Sequence, residues 1–85
     1  MENKKSMSEL WREYKNYGAK CNMYNNYIQA ITNAISFLAD YASKNTKEWK
    51  KCGQLCKMLR NRRNYCYEIV FECNRKQREL LDEMQ

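Results

Sequence analysis

The sequence predicts an all-α protein: an antiparallel two-helix hairpin with heptad seams, assembling into a four-helix bundle or larger oligomer. Three observations point there. The 85 residues include no proline and two glycines, so the turn chemistry of hairpin-rich β structure is missing. Apolar residues recur at alternating steps of three and four along most of the chain, the mark of helices with a supercoiling seam. The run breaks over a few polar residues near position 45, and so short a connector joins antiparallel neighbours. The 85 residues form a single domain. A chain this short buries only about 60–65% of the surface it exposes when unfolded, so a lone core is marginal.

The first helix is expected over about 7–43. Ser6 with Glu9 three residues later has capping-box spacing. The seam then runs Met7, Leu10, Tyr14, Tyr17, Cys21, Tyr24, Ile28, Ile31, Ile35, Leu38, Ala42. Gly18 falls inside it, and the heptad passes through without a miss, so a continuous or slightly kinked helix is expected. The connector is placed at about 43–46, where Asn45 with Glu48 offers a second capping box and Thr46 an alternative cap.

The second helix is expected over about 47–84. Its seam reads Trp49, Cys52, Cys56, Leu59, Arg63, Cys66, Val70, Cys73, Gln77, Leu80, Met84. Two members are polar. An unpaired charge at Arg63 is costly to bury, so it either snorkels out or meets a partner. Gln77 suits a register-fixing role, as polar seam residues do in coiled coils.

Apolar residues also lie beside the seam. Met23, Tyr27, Ala30, Ala34, Phe37 and Tyr41 form a second stripe on the first helix. On the second helix Leu55 and Ile69 flank the seam on one side, and Tyr67, Phe71 and Leu81 on the other. One two-helix seam cannot cover so wide an arc. Self-association is therefore expected, most simply as a two-fold dimer of hairpins. The alternative is a different protein docked on that face.

All five cysteines occupy seam positions, where free Cys packs as a small hydrophobe. Cys52 and Cys56 are one turn apart, but no second close pair and no histidine completes a zinc tetrahedron. Cys21 lies opposite the stretch between Cys66 and Cys73, so a bridge to either is geometrically open. Met1-Glu2-Asn3-Lys4-Lys5 leads into polar residues and not an apolar core, so no secretory signal is expected. The stretch Ile28 to Ala42 is too short and polar to span a bilayer. A cytoplasmic location with reduced thiols follows as the expectation.

Charge is concentrated. Residues 45–63 carry Lys47, Lys50, Lys51, Lys57, Arg60, Arg62 and Arg63 against Glu48, a net +6 that equals the charge of the whole chain. Residues 64–85 carry three cations against five acids, a net −2. Such a belt attracts phosphates, nucleic acid or an acidic protein surface. The candidate ligand site combines Lys57, Arg60, Arg62, Arg63, Asn64 and Tyr65 with Tyr24, Asn25 and Tyr27, expected to face them across the hairpin. Guanidinium forks suit phosphate, and tyrosine rings stack on bases.

No glycine-rich phosphate loop and no nucleophile–base pair occurs, and histidine is absent, so no enzyme, metal or cofactor is expected. The reading is a small oligomeric binding protein that captures an acidic partner. Lysine, asparagine, tyrosine and isoleucine, all with AT-rich codons, make up 31 residues. That composition suits an AT-rich bacterium or its phages. In size and architecture the chain resembles small all-helical phage proteins that sequester cyclic-oligonucleotide signals or block a host defence complex, and that resemblance implies an inhibitor of a host defence system carried by a phage or mobile element. The alternative is a structural or assembly protein whose second apolar stripe docks a partner.

Overall fold

The computed structural model describes residues 4–85. The start of the N-terminal segment weighed as a leader, Met1 to Asn3, lies outside the described residues. Helix α1 spans Met7–Lys44 and helix α2 spans Trp49–Met84, joined through Asn45 and one 3-10 turn, Thr46–Glu48. The two helices pack antiparallel as an extended hairpin of 65 × 19 × 14 Å.

Local chemistry sets the ends. Ser6 is extended, and its Oγ accepts the Glu9 backbone N–H at 3.2 Å, satisfying one orphan donor of α1. At the turn, Asn45 does not cap the helix that follows, as its spacing to Glu48 predicted. Its backbone N–H and its side-chain amide both donate to the Tyr41 carbonyl, at 2.9 and 3.0 Å. Asn45 therefore closes α1. Glu48 N–H bonds back to the Asn45 carbonyl at 2.9 Å, and α2 starts with no side-chain cap from Asn45 or Thr46.

The heptad prediction describes the packing. Every seam position is buried or half-buried except Met7 and Trp49, the first of each series. The buried apolar residues are Leu10, Cys21, Ile28, Cys52, Cys56, Cys66, Cys73 and Leu80, with Cys66 the most enclosed. All five thiols are free, so they fill the seam as small hydrophobes, and no bridge joins Cys21 to Cys66 or Cys73. Small side chains on α2 let the larger ones of α1 settle between them.

Gly18 sits within continuous α1 with ordinary helical backbone, so its role is space. A Cβ there would stand 3.0 Å from Gln77 Nε2. That amide donates to the Tyr14 carbonyl at 3.0 Å. The polar seam residue thus reaches the opposite backbone over a glycine, and a register slip would strand it.

Candidate anion-binding belt

Cross-helix hydrogen bonds fix the register. Arg63 Nη1 donates to Thr32 Oγ1 at 3.1 Å, and Cys21 Sγ donates to Asn74 Oδ1 at 3.5 Å. With Gln77 on Tyr14, these place Arg60 to Tyr65 beside roughly 28–33 of α1. Tyr24 to Tyr27 lie roughly a turn further along α2, beside its residues 66–70. The expected direct opposition of 24–28 and 60–65 is therefore corrected. The chain reverses at 45–48, later than the expected 43–46. Each residue of displacement at a turn moves the cross-helix pairing by two.

The seam divides the hairpin surface into two faces. A cleft lined by Tyr17 and Lys20 of α1 and by Tyr65, Glu68, Ile69, Glu72, Cys73 and Lys76 of α2 identifies one. Helical spacing adds Met23, Tyr27, Phe37 and Tyr41, and Leu55 and Met58, to that side. This is the apolar face. The bonds from Arg63 to Thr32 and from Cys21 to Asn74 mark the other side. There helical spacing groups Asn25, Gln29 and Thr32 of α1 with Lys57, Arg60 and Asn64 of α2, and further along α2 with exposed Tyr67 and Phe71.

The nine predicted site residues divide between these faces. Lys57, Arg60 and Asn64, spaced three and four apart, form an exposed stripe on the polar face. Arg62 lies on the apolar face with its guanidinium 4.9 Å from the Tyr65 ring centre, a cation–π stack. Tyr27 is on that face too, packed edge-on against half-buried Tyr24 at 5.5 Å. Asn25 donates to Cys21 Sγ at 3.6 Å. Arg63 is half-buried in the seam, and besides its bond to Thr32 its Nε is buried without a partner. The partner it needed was Thr32, which the sequence reading did not name.

Acidic residues are missing from the stretches that hold the belt. No Asp or Glu occurs from 14 to 39 in α1 or from 49 to 67 in α2. Among the described residues, Lys5, Lys44, Lys51, Arg75 and Lys76 each pair with a carboxylate. None of those pairs involves Lys57, Arg60, Arg62 or Arg63. At the far end Arg75 bridges Glu72 and Glu79. Its hydrogen bond holds the Glu72 carboxyl below its ordinary value and raises the guanidinium. Burial pushes the Cys73 thiol up, which keeps it protonated and unreactive at neutral pH. Among the described residues, no group of three or more His, Cys, Asp or Glu is placed to hold a metal ion. No described helix is long and apolar enough to cross a membrane.

No protein-family model, curated protein or solved structure matches this chain.

Proposed function

We propose that this chain is a non-enzymatic binding protein, a self-associating helical hairpin that captures a phosphate-bearing partner, a nucleic acid or a phosphorylated ligand, on its belt. One observation carries the reading: Lys57, Arg60, Arg62 and Arg63 lie within one short stretch of α2, in a region where neither helix carries a carboxylate over 14–39 or 49–67. Clustered like charges repel, and an external anion relieves that repulsion. Lys57, Arg60 and Asn64 form the accessible stripe. Arg63, tied to Thr32, supports it from the seam. Inhibition of a host defence complex, the role implied by the likeness in size and architecture to small all-helical phage proteins, is the kind such capture serves.

Fluorescence anisotropy with a short labelled single-stranded oligonucleotide tests the reading. Affinity should fall linearly on a log–log scale with salt, with a slope of roughly −0.7 for each phosphate engaged. Substituting Lys57→Ala and Arg60→Ala together should flatten that slope by about one to one and a half. Salt-independent binding, or none at low salt, contradicts it.

A second reading has its own observation. Phe37 and Met58 are 69% and 67% exposed, and so large an apolar surface also suits docking of a different protein. Docking of that kind is insensitive to salt and indifferent to Lys57 and Arg60.

A further inference from the structure

The apolar face has an internal symmetry. Along α1 it reads Met23 and Tyr27, then Ala30 and Ala34, then Phe37 and Tyr41. Two large residues, two small and two large are evenly disposed about position 32. On α2, Leu55 and Met58 lie on one side of Arg62, and Tyr65 and Ile69 on the other. The hydrogen bond between Arg63 and Thr32 puts these two centres at one level of the hairpin. A surface that reads alike from either end is self-complementary under a two-fold axis lying across the helices at that level.

We infer that a second copy of this chain covers the face in antiparallel orientation, with the two turns at opposite ends of a four-helix bundle. The inference rests on the self-association proposed above and adds its face, direction and pairings. Ala30 and Ala34 of each copy meet at the centre, where small side chains let the two α1 helices approach closely. Phe37 of one copy packs on Tyr27 of the other, and Tyr41 on Met23.

Charge over the length of α2 favours this direction, against one like-charge contact where the two Arg62 side chains meet at the axis. Residues 45–63 carry +6 and residues 64–85 carry −2. The antiparallel bundle sets the basic half of one α2 along the acidic half of the other. A parallel bundle would set the two +6 segments at the same level, diagonally across the bundle. Size is adequate as well. Met23 to Tyr41 covers about 27 Å of helix, and the hairpin is 19 Å wide. The footprint is then about 500 Å², the same order as the ~800 Å² of accessible surface each partner buries in a stable interface. The polar stripes of Lys57, Arg60 and Asn64 end up on the two outer faces, so each dimer presents that stripe twice, with Arg62 covered.

Sedimentation of the full chain and four variants tests this, with circular dichroism to follow the helices. Phe37→Glu and Tyr27→Lys should each weaken the dimer by about 100-fold, because each buries an unpaired charge. Within one copy these positions are about 15 Å apart and cannot pair. Across the antiparallel axis they meet, so the double variant should recover at least about tenfold. Phe71→Glu, 74% exposed but on the other side of the hairpin, should leave the dimer unchanged. A wild-type monomer overturns self-association itself. A wild-type dimer indifferent to Phe37→Glu, or broken by Phe71→Glu, overturns this face while self-association stands. Two disruptive single variants without recovery in the double overturn the antiparallel direction.

Discussion

The seam and the apolar face invert the usual order of a folded protein. Five of the eight buried apolar residues are cysteines, among the smallest apolar side chains. The face beside them exposes Met23, Tyr27, Phe37, Tyr41, Leu55, Met58 and Tyr65. Side chains that carry the most hydrophobic free energy thus lie outside the hairpin, and those that carry the least lie inside. The seam is built for close approach and register, through Gly18, Gln77 and the thiols. The face is built for area. On this account a hairpin holds its shape through the first and gains most of its stability when the second is covered.

The contrast can be broken from the seam side first. Ile28→Ala removes the largest buried side chain of mid-α1, and should cost about 2–4 kcal/mol in chemical denaturation. Phe37→Ala, measured at a concentration where the chain is monomeric, should cost under about 0.5 kcal/mol. Comparable losses at the two sites would erase the distinction. Cys66→Ser comes next. Cys66 is 1% exposed, and a hydroxyl costs more to bury than a thiol even when it bonds the carbonyl one turn back, so about 1 kcal/mol should be lost. The same burial should protect Cys66 from alkylation until denaturant is added.

The glycines sharpen the seam's role. A Cβ at Gly53 meets nothing within 4 Å, so Gly53→Ala should stabilise by about 0.5–1 kcal/mol. A Cβ at Gly18 stands 3.0 Å from Gln77 Nε2. Gly18→Ala should therefore forfeit that gain by displacing the bond to Tyr14, and recover it in a Gln77→Ala background. Equal effects at both glycines would remove Gln77 from the account. The smallest effect is electrostatic. Glu72 has its pKa lowered by Arg75, so the pair contributes above the ordinary carboxylate range and is lost as pH falls through the folded value. Thermal melts should show a slight loss in acid that Glu72→Gln abolishes.

The heptads made the two helices and their seam legible, because 3-4 spacing admits only one buried stripe per helix. Register was less legible. Asn45 spends its donors on Tyr41, and the extra 3-10 turn moves the reversal point, an outcome the Asn45 and Glu48 spacing does not encode. The candidate site was legible in charge but not in shape. Arg60 and Arg62 are neighbours in sequence, yet a helix turns about 100° per residue and sends them to opposite faces. The absence of carboxylates through 14–39 and 49–67 was open to view, and it defines the belt better than any grouping of adjacent basic residues.

Sedimentation equilibrium over a range of concentrations tests the central claim most directly. The account predicts a reversible species of twice the 10.4 kDa chain mass, dissociated by Phe37→Glu without loss of helix at high concentration. A chain that stays at 10.4 kDa to the highest concentration reached, with Phe37 as exposed in solution as in the hairpin, would contradict it.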